Sequence, residues 1–270
     1  MNPLPPIIEP NELEKLLGND QLIIVDLCKP ETYVQAHIPG AIYLDYKQII
    51  GANPPVMGLL PDVENLTMLA SIIGLSNDKY LVSYDDEGGG KAARLLWTLN
   101  AMDFSRCSLL NGGIHAWANE HHPLEQTVNK APAAQFEVSI SPEPIGDKNF
   151  ILENLQNETV ALFDSRSTAE YTGIKKFAAK AGHIPGAVNI DWLEFIDQNN
   201  NARLKPESEI RATLDKSGLT SDKTVVTYCQ THHRSALTYW VLKALGYPNV
   251  KGYPGSWSDW GNSSDTPVEL

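Results

Sequence analysis

A cysteine followed within six residues by two histidines, an arginine and a serine can make and hold a thiolate. The chain has this combination at Cys229-Gln230-Thr231-His232-His233-Arg234-Ser235. The β-branched run Thr224-Val225-Val226-Thr227 before it reads as a strand, and Ala236 to Leu245 after it has helical spacing. A loop between a strand and a helix aims backbone N–H groups at its own centre, and the helix N-terminus adds roughly half a positive charge. A thiol placed there, with His232, His233 and Arg234 beside it, is expected to have a lowered pKa. Lowering it from about 8.5 to about 6.5 raises the thiolate fraction at neutral pH from a few per cent to roughly three quarters. Local charge agrees: from Lys223 through Ser258 there is no Asp or Glu, although the 270-residue chain carries a net charge of −12. Cys229 is therefore the candidate nucleophile.

Other reactive residue types have plainer expectations. Cys28 and Cys107 are lone cysteines without a His-His-Arg run after them and read as small buried hydrophobes. His232 and His233 could form a metal pair, but adjacent histidines point in different directions and lack a nearby carboxylate or second cysteine, so no metal site is expected. His37 and His183 are expected to hold turns by hydrogen bonding, Lys175, Lys176 and Lys180 to form a solvated face, and the tryptophans near each repeat's end to lie in the core.

The elements that position the loop are legible from an internal repeat. His37-Ile38-Pro39-Gly40-Ala41 recurs 146 residues later as His183-Ile184-Pro185-Gly186-Ala187. Leu22-Ile23-Ile24-Val25-Asp26 and Val160-Ala161-Leu162-Phe163-Asp164 stand before the two copies. Tyr84 and Tyr228 close strand-like runs 144 apart, and Gly112-Gly113 to Trp117 matches Gly255-Ser256 to Trp260 at an offset of 143. Ordered landmarks at a nearly constant offset indicate two homologous domains, each about half the chain. The spacing predicts a first domain over residues 1–125, a proline-rich linker over 126–146 and a second domain over 147–270. Strands alternating with amphipathic helices predict an α/β fold with a mainly parallel sheet in each domain, and ligands then sit beyond the carboxyl ends of the strands. The Cys229 loop is at such a place. Aligning Tyr84 with Tyr228 puts Asp85, in Asp85-Asp86-Glu87-Gly88-Gly89-Gly90, where Cys229 stands. Only the second repeat can do cysteine chemistry.

Composition excludes several classes. No apolar run approaches the roughly 18 residues of a membrane span. Met1 to Pro6 lacks the basic start and apolar stretch of a secretory signal, and three widely spaced cysteines form no disulfide framework, so a reducing cytoplasm is expected. The net negative charge argues against nucleic acid and anionic membrane surfaces as partners.

With two His-Ile-Pro-Gly-Ala copies, a strand-loop-helix after each and a cysteine only in the second, the chain from about Glu9 to Leu270 resembles a tandem-domain rhodanese. Leu110-Asn111-Gly112-Gly113 with Trp117, Lys251-Gly252-Tyr253 with Gly255-Ser256-Trp257, and Asp164-Ser165-Arg166 match landmarks of that family. The loop itself is similar to that of a bacterial subgroup reading Cys-Gln-Thr-His-His-Arg-Ser. The resemblance implies thiosulfate sulfurtransferase chemistry: the sulfane sulfur of thiosulfate passes through a Cys229 persulfide to cyanide, a thiol or a partner protein. It further implies no cofactor. Gln230, Thr231, His232, His233, Arg234 and Ser235 would cradle the substrate and persulfide, with the two histidines and Arg234 supplying the field. Arg234 would be held by an internal carboxylate, and Arg166 would be a candidate substrate contact. A monomer is expected.

The departures bear on the donor. Thiosulfate-selective members commonly carry Arg and Lys directly after the cysteine, and mercaptopyruvate-selective ones a Gly-Ser-Gly or Gly-Thr-Gly run. This loop has neither, and its bulky cationic side chains favour a small inorganic anion over a keto acid. Glu170 stands where many relatives have a substrate-side arginine. The alternatives are a 3-mercaptopyruvate sulfurtransferase, a persulfide carrier for a partner protein, and a cysteine-dependent phosphatase. The last needs five residues between Cys and Arg, whereas four separate Cys229 from Arg234.

Overall fold

The computed structural model describes residues 3–270. Met1 and Asn2, part of the expected first domain and of the N-terminal stretch read above, lie outside them. The apolar runs become strands because each is buried on both faces, the environment of parallel sheets covered by helices. In the first unit the strands are β1 (Ile7–Ile8), β2 (Leu22–Asp26), β3 (Ile42–Tyr43), β4 (Tyr80–Tyr84) and β5 (Cys107–Leu110). They form one parallel sheet in the order β1-β5-β4-β2-β3. The second unit has β6 (Val160–Asp164), β7 (Val188–Asn189), β8 (Thr224–Tyr228) and β9 (Val250–Gly252), again all parallel, in the order β9-β8-β6-β7.

Register places the landmarks. β2 pairs with β4 so that Asp26 lies opposite Tyr84, and β6 pairs with β8 so that Asp164 lies opposite Tyr228. Each tyrosine hydroxyl then accepts a hydrogen bond from the repeated motif, Ile38 N–H to Tyr84 and Ile184 N–H to Tyr228, both at 3.2 Å. The histidines do hold turns. His37 stacks on Tyr33 with ring centroids 3.8 Å apart, and His183 on Tyr171 at 3.6 Å. Their Nδ1 atoms lie 2.7 and 2.9 Å from the carbonyl oxygens of Tyr33 and Tyr171. Trp117 joins Ile24, Ile38 and Val82 in one core, and Trp257 and Trp260 join Ile184 and Val226 in the other.

Neither unit is a contiguous stretch. The first takes the chain up to Ile49, then Pro61–Ser141 and Ile196–Leu204; the second takes Ile50–Leu60, Pro142–Phe195 and Lys205–Leu270. Two antiparallel hairpins, Gly51–Asn53 with Val56–Leu59 and Ile196–Asp197 with Arg203–Leu204, thus fall in the unit that chain order would not assign. The stretch read as a linker divides at Ser141 and Pro142. Its first part is fastened to the first unit, where the Asn129 side-chain amide donates to the Ala41 carbonyl at 3.1 Å. Among the described residues no helix is long and apolar enough to cross a membrane.

Ile184 is fully buried beneath Tyr228. Ile184→Ala should destabilise the protein by about 2–5 kcal/mol, the usual cost of such a truncation, read as a lowered urea midpoint. A midpoint unchanged within error would deny this residue its role in seating Tyr228.

Candidate active site

Cys229 follows directly on β8, and the helix Arg234–Ala244 starts five residues later. The loop between them is fastened by the segment Gly255 to Ser258. The Cys229 N–H donates to Ser256 Oγ (3.2 Å), the Cys229 carbonyl accepts from Trp257 N–H (3.0 Å), and the Gln230 carbonyl accepts from Ser258 N–H (2.9 Å). Ser256 occupies the left-handed region at φ 49°, where a non-glycine residue is strained, and its hydroxyl donates to the Tyr253 carbonyl at 2.7 Å. His232 is also left-handed, at φ 54°, which lets the loop curl back on Cys229.

The thiol is fully buried. Burial alone would raise its pKa. The charge of Arg234, the Ser235 hydroxyl, and the backbone N–H groups of Ser235 and Thr231 outweigh burial and bring it down to about 7. Roughly half of Cys229 is then thiolate at neutral pH. Ser235 is itself fixed. Its carbonyl accepts from Thr227 Oγ1 (3.0 Å) and Thr238 Oγ1 (3.1 Å), and its hydroxyl lies 2.8 Å from His232 Nδ1. When Nδ1 carries the ring proton, a chain of donors runs from His232 through Ser235 to the Cys229 sulfur.

Arg234 is held by two hydrogen bonds to Glu170, Nη1 to Oε2 at 2.7 Å and Nη2 to Oε1 at 2.9 Å. Glu170 also accepts from the Ser167 N–H and hydroxyl, completing a capping box on the short helix Thr168–Tyr171. Burial would raise the Glu170 pKa, but Arg234 and Ser167 hold it down at about 2. The carboxylate expected to steady Arg234 is therefore Glu170, at the position read above as a departure from many relatives.

The predicted cradle residues differ in task. Thr231 and Ser235 face the sulfur with N–H groups, and Arg234 supplies the charge. His232 is buried against Ser235, and the His233 ring lies 6.0 Å from Trp192. The Gln230 side chain instead donates to the Phe177 carbonyl at 3.3 Å. Arg166, the candidate substrate contact, is engaged within the protein. It is 1% exposed, and its guanidinium forms a close pair with Asp164 (Nη2 to Oδ2, 2.6 Å) and donates to the Gly182 carbonyl. It lies over the Trp257 ring at 4.4 Å, which makes it a strut under the loop. Sequence reasoning missed Ser256, Ser258 and the hairpin Gly51–Leu59. Gly58 lies so close to the loop that a Cβ there would stand 2.2 Å from the Thr231 carbonyl oxygen. The sequence marks it by nothing beyond the glycine itself, which takes a positive φ of 77°.

The first unit has the same cradle, filled. Asp85 is buried, and its carboxylate accepts from the N–H groups of Glu87 (3.0 Å), Gly89 (2.8 Å) and Ala92 (3.0 Å). Cys28 and Cys107 are buried thiols whose pKa values burial pushes up, with Asp26 adding to the effect at Cys28.

Two parallel-sheet units, a nucleophile loop in one and a carboxylate plug in the other agree with what the sequence profile detects. The rhodanese-like domain profile matches residues 9–120 and 148–263, and the chain belongs to that family. A thiosulfate sulfurtransferase of Azotobacter vinelandii is 44% identical over 267 residues, covering 99% of this chain and 98% of that one. A sulfur carrier protein of Thermus thermophilus is 35% identical over 249 residues, covering 87% and 86%. Among solved structures, a 3-mercaptopyruvate sulfotransferase from Escherichia coli superposes with a TM-score of 0.83 at 26% identity, covering 94% of this chain and 99% of that one.

Two outcomes are expected. The rate of Cys229 alkylation by iodoacetamide should rise with pH and reach half its plateau near pH 7, because reactivity follows the thiolate. Arg234→Ala should move that midpoint upward, and an unmoved midpoint would remove Arg234 as the cause. Arg166→Ala should cost about 3–5 kcal/mol of stability by stranding Asp164 without its cation, measured by urea unfolding. A loss below about 1 kcal/mol would return Arg166 to the list of substrate contacts.

Proposed function

We propose that the protein is a thiosulfate sulfurtransferase acting through a Cys229 persulfide. The observation that carries this reading is a buried cysteine facing two backbone N–H groups, a hydroxyl and a carboxylate-anchored arginine, which together bring its pKa down to about 7. Thiosulfate enters as a dianion, and the Cys229 thiolate attacks its outer sulfur. The S–S bond of thiosulfate breaks, and sulfite leaves with the bonding electron pair. The new persulfide carries the negative charge to the Thr231 and Ser235 N–H groups. Cyanide or a thiolate then attacks the terminal sulfur, and the electron pair of the persulfide bond returns to Cys229. Two half-reactions through a covalent intermediate give ping-pong kinetics.

A keto-acid donor is less well served. Arg166 is committed to Asp164, and the helix Thr168–Tyr171 presents Glu170 rather than a cation. A phosphatase is disfavoured because Arg234 is locked on Glu170, only four residues separate it from Cys229, and the cradle is correspondingly small.

Intact-mass spectrometry after exposure to thiosulfate should show a gain of about 32 Da, one sulfur on the nucleophile, in the native protein and none in Cys229→Ala. Turnover with thiosulfate should exceed turnover with mercaptopyruvate. A ratio well below one would sink the thiosulfate assignment while leaving the persulfide intact.

A further inference from the structure

The two repeats differ in what lies against the edge strand of each sheet. In the first unit the chain runs without a turn over residues 126–140, and the start of this stretch forms a strap beside β3. The Thr127 carbonyl lies 3.0 Å from His37 Nε2, and the Asn129 N–H donates to the Tyr33 hydroxyl at 3.2 Å. The Asn129 side-chain amide donates to the Ala41 carbonyl (3.1 Å) and to Glu125 Oε1 (2.6 Å). Ala131 and Pro132 then cover Gly74 so closely that a Cβ there would stand 2.7 Å from the Ala131 Cβ. Gly74 and Tyr33 are buried beneath the strap.

The second unit repeats the groups that the strap touches. The Tyr171 hydroxyl donates to the Ala187 carbonyl at 2.7 Å, as the Tyr33 hydroxyl does to Ala41 at 3.0 Å. The Gly186 N–H donates to the Glu269 carboxylate at 3.0 Å, as the Gly40 N–H does to Glu125 at 2.6 Å. Gly218 follows the helix Glu207–Lys216 at φ 73°, and Gly74 follows the helix Val63–Ile73 at φ 68°. Among the described residues no strap lies on this second set. A Cβ on Gly218 would meet nothing within 4 Å, and Gly218 is exposed. Tyr171 is half-buried where Tyr33 is 3% exposed, and the Glu269 side chain is 56% exposed against 29% for Glu125. Leu270 lies instead against Gly173 and Gly182. Beside these open groups runs a groove of about 620 Å³ lined by Leu155, Val160, Leu162 and Val188, with Glu158 and Lys223 as charges of opposite sign.

We propose that this groove binds an extended segment of a partner protein carrying Asn-x-Ala-Pro, seated as residues 129–132 are seated in the first unit. The Asn side-chain amide of the segment donates to the Ala187 carbonyl and the Glu269 carboxylate, and its N–H donates to the Tyr171 hydroxyl. A small residue is required over Gly218, given how closely Ala131 approaches Gly74. Proline after it has no N–H to leave unpaired where the segment departs. The receiving groups are already in place, so binding needs little reorganisation of the protein. The groove is also remote from the chemistry. Val160 opens β6 and Lys223 precedes β8, whereas Cys229 follows the carboxyl end of β8. Occupancy tethers the protein to its partner and leaves the Cys229 loop untouched.

The probe is the peptide Thr-Val-Asn-Lys-Ala-Pro-Ala, the sequence of residues 127–133, blocked at both ends and titrated calorimetrically into the full chain. One site per chain is expected, with a dissociation constant of about 0.01–1 mM, since a short segment must order as it binds. Replacing the peptide's Asn by Ala should weaken binding about tenfold through lost hydrogen bonds. Replacing its first Ala by Leu should weaken it by about tenfold or more, because the longer side chain overpacks against Gly218. In the protein, Gly218→Ala should weaken the native peptide about tenfold by the same clash. Thiosulfate turnover of that variant should stay within about twofold, because the two sites share no partner. Equal binding of all three peptides, or none at about 5 mM peptide, would overturn the groove. A loss caused by Gly74→Ala and not by Gly218→Ala would put the peptide on the first unit and overturn it too. Self-association of the native chain that the peptide reverses would make a second copy the occupant and overturn the partner.

Discussion

The bidentate pair between Arg234 and Glu170 fixes the charge that Cys229 meets, and much of the second unit can be understood as support for it. A thiol with no exposed surface would normally be neutral and inert, as Cys28 and Cys107 are. Arg234 reverses that at Cys229 because its guanidinium is delivered by the first turn of a helix and cannot swing away. Glu170 can hold it only while ionised, and Arg234 itself, with the Ser167 capping box behind it, keeps it so. The strained left-handed Ser256 and His232 close the remaining sides of the loop. The local cost in backbone strain is of order 1–3 kcal/mol per residue, and strain of this kind persists where the surroundings over-determine the geometry. Here they do so through Ser256 on the Cys229 N–H and His232 on Ser235.

The two units present one architecture in two electrostatic settings. In the first, three backbone N–H groups converge on the Asp85 carboxylate, an anion that the chain supplies permanently. In the second, the same kind of convergence meets a sulfur whose charge can come and go. Beneath the loops the symmetry breaks again. Asp164 has Arg166 as a counter-ion, whereas Asp26 has Cys28 two residues on and a pKa raised by burial, with the Tyr84 hydroxyl as its partner. The cation under the working loop adds rigidity where a reaction needs it, and its counterpart has dropped out of the other copy.

How much of this was legible in the sequence depended on distance along the chain. The loop is contiguous, so its cysteine, its cations and its place between a strand and a helix could be read directly. The repeat made the parallel sheets and the pairing of Asp85 with Cys229 readable too, because buried strands and turn motifs write themselves in runs of a few residues. What stayed hidden was contact between distant segments. Glu170 is 64 positions from Arg234, and nothing local announces the pair. The family resemblance made Arg166 a candidate substrate contact, and Asp-x-Arg gave no sign of its burial. The left-handed turn that brings His232 onto Ser235 was likewise not readable from the loop's residue types. The two hairpins were hidden for a related reason, since each folds with the unit that sequence proximity does not favour.

Those hairpins set a timetable for synthesis. A polypeptide emerges from the ribosome at about 5–20 residues per second. The first unit has most of its residues once Ser141 has emerged, but it is complete only when Ile196–Leu204 follows. At that rate the wait for the last of those residues is about 3–13 seconds. The segment Ile50–Leu60 waits in the other direction, made early and left without its own unit until residues beyond Pro142 arrive. A chain arranged in this way postpones the completion of both units toward its release.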